Sequence, residues 1–92
     1  MKYRSRTDIT SQILESANGG STKTKIMYKA FLSYAQLQDY LAVLIENGLL
    51  EHNHEDQIYK TTDKGTRFLK VYNQLSDYVL PIEQQIKEKP LR

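Results

Sequence analysis

Three lysines, Lys23, Lys25 and Lys29, follow Ser21-Thr22 within eight residues. If Ser21 or Thr22 starts a helix, free backbone amides and ammonium groups meet at one place. Both attract phosphate, and the lysines would make binding salt-dependent. Thr22 belongs to the same candidate phosphate site, and Arg4 and Arg6 extend it as a basic arm. A plain basic helix surface and a frayed terminus are the competing readings. Ten residues beyond Lys23 begins a second set: Ser33, Tyr34, Gln36, Gln38 and Asp39. These side chains suit base edges in a major groove. Glutamine pairs with adenine in a bidentate manner, and aspartate accepts from the cytosine amino group. Ala35 and Ala42 are small enough for close approach. The competing reading is a solvated helix face.

Other chemistry is poorly served. The chain has no cysteine, which excludes disulfides, thiolate metal sites and thiol catalysis. No nucleophile, base and orienting group form a recognisable set, and the carboxylates lack catalytic spacing, so an enzyme is not expected. Gly19-Gly20 stops a helix and does not cradle a phosphate. His52, Asn53 and His54 fall in a short extended run where His52 and His54 point to one side. A metal there would need Glu55 or Asp56 as well, so a solvent-exposed hairpin tip near a minor groove is the better reading. No cofactor, metal or small-molecule ligand is expected.

These residues need elements to hold them. Ile9, Ile13, Leu14 and Ala17 mark one face of a helix from about Thr7 to Asn18, with Thr7 or Asp8 as cap. Asn18-Gly19-Gly20 ends it. A second, short helix runs from about Thr22 to Ala30, with Ile26 and Met27 inward and the lysines largely outward. Phe31 and Leu32 read as a buried turn. Ser33 caps a third helix, whose Leu37, Leu41 and Leu44 face inward until Asn47-Gly48 stops it. Leu49 to Asn53 and Gln57 to Thr62 form a hairpin around His54-Glu55-Asp56. Tyr28, Tyr34 and Tyr40 are expected to be partly buried, with Tyr59 in a hairpin strand.

Thr62 caps a last helix starting at Asp63. Phe68, Tyr72, Leu75, Val79, Ile82 and Ile86 recur at intervals of 4, 3, 4, 3 and 4. That is the apolar seam of a coiled coil, so a dimer interface is expected along it, with folding back on the chain's own core as the competing reading. Leu69 lies beside the seam and faces the other helices. Pro81 predicts a kink or an early stop.

With 92 residues the chain is one small globular body, marginally stable unless a partner adds burial. Residues 1–30 carry six basic and two acidic side chains, residues 31–62 one and five, and residues 63–92 six and four. The net charge of +2 says little; the clustering of charge at the N-terminal third says more. No apolar stretch approaches the roughly 18 residues that cross a membrane. No hydrophobic segment follows the basic start, so no signal peptide is expected and the cytoplasm is the default compartment.

The expected fold is mainly α with a small β-hairpin, in the order α-α-α-β-β-α. Residues 1–62 would form a winged helix-turn-helix domain and residues 63–92 a long dimerisation helix. A short second helix, a tight turn and a longer third helix place the third against the major groove.

Specific strings strengthen this reading. Residues 18–30, Asn-Gly-Gly-Ser-Thr-Lys-Thr-Lys-Ile-Met-Tyr-Lys-Ala, together with Leu32-Ser33-Tyr34, Gln36-Leu37, Tyr40-Leu41 and Glu46-Asn47-Gly48-Leu49-Leu50, resemble an archaeal winged-helix family. Tyr59-Lys60-Thr61-Thr62-Asp63-Lys64-Gly65 with Phe68-Leu69 is similar to that family's junction into the last helix. The family is that of small archaeal DNA-binding proteins of about ten kilodaltons, often described as chromatin-associated, and of related predicted transcriptional regulators. The resemblance covers roughly residues 7–72. It implies an antiparallel coiled coil between two last helices and DNA binding by both wing domains, sometimes with little sequence preference. Pro81 departs from it and predicts a shorter or kinked seam.

The expected function is binding of double-stranded DNA as a homodimer, by a transcriptional regulator or a nucleoid-associated architectural protein. A winged helix that binds another protein without touching DNA is the alternative.

Overall fold

The computed structural model describes residues 4–88, with side chains through residue 86. Residues 1–3, part of the expected basic arm, lie outside the described residues. The elements are α1 (Arg6–Ser16), α2 (Lys23–Lys29), α3 (Tyr34–Glu46), β1 (Leu50–Asn53), β2 (Ile58–Thr61) and α4 (Asp63–Glu88). This is the expected order, and it is a winged helix-turn-helix.

Each helix begins where a short polar side chain can take up a free amide. Ser5 caps α1: its Oγ accepts from the Asp8 amide at 3.0 Å, and Asp8 Oδ2 accepts from the Ser5 amide at 3.1 Å. The sequence pointed to Thr7 or Asp8 as the cap; Asp8 is instead the reciprocal partner of this capping box. Thr22 caps α2, accepting from the Lys25 amide at 3.3 Å. Thr62 caps α4, accepting from the Gly65 amide at 3.1 Å.

Helices α2 and α3 end in the same way. Leu49 N–H donates to Leu44 O at 2.9 Å and Gly48 N–H to Ile45 O at 3.0 Å, with Gly48 at φ 77°. Leu32 N–H donates to Met27 O at 3.1 Å and Phe31 N–H to Tyr28 O at 3.3 Å, with Phe31 at φ 55°. Both are Schellman motifs, whose left-handed residue is usually glycine. Phe31 takes that position at a steric cost. The left-handed step delivers Leu32 to the core at 8 % exposure and leaves Phe31 outside at 79 %. The expectation that both are buried is therefore corrected for Phe31. Tyr28 and Tyr34 are likewise exposed, and of the three tyrosines expected to be partly buried in α2 and α3 only Tyr40 is half-buried.

The core gathers Ile13, Leu14 and Ala17 of α1, Ile26 and Ala30 of α2, and Leu37, Leu41 and Leu44 of α3 around Leu32, Leu50, Tyr59 and Leu69. Full burial of a Leu or Ile side chain is worth about 1.5–3 kcal/mol each. Strands β1 and β2 pair antiparallel, with Leu50 opposite Thr61 and His52 opposite Tyr59. Ser21 adds a third short rung: its N–H and C=O each bond to Tyr59 at 2.8 Å. Gly20, at φ 108°, turns the chain into that rung, and a Cβ there would sit 3.1 Å from Ile58. Thr61 Oγ1 donates to Leu14 O at 2.6 Å and locks β2 to α1.

Helix α4 starts hard against this body and then leaves it. At Gly65 a Cβ would come within 2.4 Å of the Leu49 carbonyl and 2.6 Å of Thr61. Leu69, one turn on, is buried in the core. The later turns project outward, giving a molecule of 56 × 26 × 19 Å. Of the kink or early stop expected at Pro81, the stop does not occur, and α4 runs through it to Glu88. Proline removes a single backbone donor, and in an exposed stretch that loss does not end the helix. Among the described residues no helix is long and apolar enough to cross a membrane.

Candidate nucleic-acid interface

The lysines of α2 lie in a stretch of chain without carboxylates. From Ser16 through Gln38 the chain contains no Asp or Glu. That segment spans the approach to α2, α2 itself, the turn and the first turn of α3. Lys25 and Lys29 are exposed on it. Lys23 is half-buried and differently occupied: its Nζ donates to Gln38 Oε1 at 2.7 Å and to the Tyr34 hydroxyl at 3.4 Å. The same ammonium lies 5.0 Å from the centre of the Tyr34 ring, a cation–π contact. Lys23 thus ties α2 to α3.

On α3 the expected base-contacting residues are all exposed, but most are already engaged. Ser33 Oγ accepts from the Gln36 amide at 3.2 Å, and Gln36 Oε1 accepts from the Ser33 amide at 3.0 Å. Gln38 is held by Lys23. Asp39 is exposed on the face away from Leu37, Leu41 and Leu44. Helix α3 contains no Lys or Arg and two acids, Asp39 and Glu46.

Arg4 does not hang free as an arm. Its Nη1 donates to Ala30 O at 2.5 Å and to Gln12 Oε1, and its Nη2 donates to Phe31 O at 3.0 Å. The guanidinium therefore takes up carbonyls at the C-terminal end of α2, where a cation also suits the helix dipole. Arg4, expected as a free basic arm at a phosphate, is held in this clasp. Arg6 is exposed on the first turn of α1.

The hairpin tip is more structural than expected. The His52 ring stacks on Tyr59 across the strands, centroids 4.1 Å apart and planes 10° apart. His54 meets the same imidazole edge-on at 4.4 Å. His52 Nε2 is buried without a hydrogen-bond partner among the described residues. Asn53 Oδ1 accepts from the Glu55 amide at 2.9 Å and shapes the turn. Of the three, His54 and Asn53 are exposed. Around them Glu51, Glu55 and Asp56 outnumber Lys60. Among the described residues, no three His, Cys, Asp or Glu side chains gather in a way that could hold a metal.

The expected seam divides in two. Phe68 and Tyr72 are half-buried against their own domain, Phe68 beside the core and Tyr72 donating its hydroxyl to Asp8 Oδ1. Leu75, Ile82 and Ile86 are 57 %, 57 % and 60 % exposed, with Val79 half-buried between them. Val71 and Tyr78, both exposed, fall on the same side at about 100° per residue. The 4-3 spacing alone had passed over these two.

The sequence model of a family described as winged helix-turn-helix matches residues 3–79. The chain belongs to this winged helix-turn-helix family. Among solved structures, this winged helix-turn-helix protein is similar to Sso10a-2, a DNA-binding protein from Sulfolobus solfataricus. The TM-score is 0.76 at 23 % identity, covering 92 % of this chain and 95 % of that one. Mutant forms of ZitR from Lactococcus lactis follow. One has a TM-score of 0.65 at 21 % identity over 98 % of this chain and 64 % of that one. The other has 0.61 at 20 % over 99 % and 67 %. These likenesses establish the shared fold. Among proteins of curated function none matches.

Sequence reasoning missed the Lys23–Gln38 bond, the Arg4 clasp and the Asp8–Tyr72 bond. Each joins residues from different elements, and no spacing rule signals them. The electropositive α2 segment was visible beforehand, in the three lysines after Ser21-Thr22 and the basic N-terminal third.

Proposed function

We propose that this winged helix-turn-helix protein binds double-stranded DNA as a homodimer, serving as a transcriptional regulator or a nucleoid-associated architectural protein. The observation that carries the reading is the acid-free segment from Ser16 to Gln38, with Lys25 and Lys29 exposed on it. It lies where a helix-turn-helix meets phosphates, at the short second helix and the start of the third. The description of Sso10a-2 as a DNA-binding protein agrees with it. Thr22, Lys25, Lys29 and Arg6 would position the backbone, and Ser33, Tyr34 and the α3 face would approach the groove. The acidic hairpin takes a smaller part, through His54 and Asn53. The exposed stripe of Leu75, Ile82 and Ile86 is the surface on which a second copy would lie antiparallel, burying Val79 further.

A salt titration of duplex binding tests this. Lys25→Ala and Lys29→Ala should each flatten the slope of log K against log salt by about one. A wild-type protein that shifts no duplex at low salt would remove the proposal. Leu75→Asp with Val79→Asp should halve the mass seen by light scattering, and an unchanged mass would remove the dimer.

One observation favours a second reading. Helix α3 has no cation and two carboxylates, and Val43, beside Asp39 on its outer side, is 54 % exposed. Such a surface suits a basic protein partner. Stoichiometric capture of one protein, lost in Val43→Asp, together with no duplex shift, would favour it.

A further inference from the structure

If α3 enters a groove, the stripe pointing straight out of the domain is Ala35, Asp39, Ala42 and Glu46, opposite the buried Leu37, Leu41 and Leu44. Two small side chains and two carboxylates form it. The glutamines that the sequence suggested as readers stand to either side, exposed, with their acceptor ends already engaged. Gln36 Oε1 is 3.0 Å from the Ser33 amide, and Gln38 Oε1 is 2.7 Å from Lys23 Nζ. Reading adenine takes a glutamine acceptor and donor together, presented side by side to the base edge. Neither glutamine has that acceptor free of a protein donor.

We propose that Asp39 is the residue with which α3 reads sequence, accepting from the amino group of a cytosine. Lys23 acts with it as a positioning residue that holds Gln38 out of the reading. This inference rests on the DNA-binding reading above and refines it. A carboxylate among phosphates is repelled wherever it finds no amino donor, so Asp39 discriminates largely by rejection. Ala35 and Ala42, about one turn to each side, leave room for the helix to approach. Lys23, bonded to Gln38 and lying on the Tyr34 ring, is then a brace between α2 and α3, and its charge is already partly used.

The test is selection of binding sites from randomised duplexes by wild type, Asp39→Ala, Lys23→Met and the pair Lys23→Met with Gln38→Ala, each first checked for wild-type circular dichroism. Wild type should favour cytosine about tenfold at one position of each half-site. Asp39→Ala should lose that preference, binding the selected cytosine site less tightly and duplexes without it more tightly. Lys23→Met should gain an adenine preference at a neighbouring position, and Gln38→Ala should abolish the gain. Duplex binding without any base preference in wild type would overturn the inference and leave the DNA-binding reading standing. A cytosine preference that survives in Asp39→Ala would overturn the role of Asp39, and an unchanged profile in Lys23→Met would overturn that of Lys23. A wild type that binds no duplex would instead sink the reading beneath both.

Discussion

The phenol of Tyr72 on α4 donates a hydrogen bond to Oδ1 of Asp8 in the first turn of α1, across 64 residues of sequence. Asp8 also closes the capping box with Ser5, so a single carboxylate starts α1 and anchors the outgoing helix. The Tyr72 hydroxyl, then the Ser5 amide, hold the Asp8 carboxyl below its ordinary value of 3.8. The same bond, with burial, raises the Tyr72 phenol above its ordinary 10.0.

The signs follow from linkage. A depressed carboxyl contributes stability above its unfolded value, lost as pH falls through the lower folded value. A raised phenol contributes stability below its unfolded value, lost as pH climbs through the higher folded one. Tyr72→Phe should lower stability at pH 7 by about 1 kcal/mol or less. It should also weaken the acid-induced loss below about pH 4. Denaturant midpoints between pH 2 and 7 measure this, and parallel curves for the two proteins would count against it.

Arg4 should behave as a structural clasp. Arg4→Ala should cost about 1–2 kcal/mol, since it strips partners from the carbonyls of Ala30 and Phe31. The salt slope of duplex binding should not change. A slope reduced by about one, with no loss in thermal stability, would return Arg4 to the phosphate site.

Phe31 occupies a left-handed helix end that Gly48 fills at the next helix. Phe31→Gly removes a steric penalty of about 1–2 kcal/mol and adds backbone entropy to the unfolded chain, for a net gain of about 0.5–1 kcal/mol. Little burial is lost, because the ring is exposed. A lower melting temperature in the variant would show that the ring does something the monomer surface does not reveal.

Gly65 should resist substitution although it lies in a helix. Alanine normally gains about 1 kcal/mol over glycine there. At this position its Cβ meets the Leu49 carbonyl, which is backbone and cannot turn aside. Overpacking of this kind costs about 1–3 kcal/mol, so Gly65→Ala should be destabilising overall. Urea unfolding decides it, and a variant more stable than wild type would mean that α4 can lift away freely.

The element order, the three inward leucines of α3, the glycine stops and the apolar stripe of α4 were legible because they are local. Periodicity, caps and turn residues act within a few positions of themselves, so the chain states them directly. The run from Ser16 to Gln38 without an acid was equally plain, and it carries the functional reading. What the tertiary structure decided is which of the exposed polar groups remain free. Arg4 meets the end of α2, Lys23 meets Gln38, and Tyr72 meets Asp8 only after the helices pack, because those partners lie 15 to 64 residues away. A side chain's type sets what it can bind; its neighbours in space set what it has left to offer.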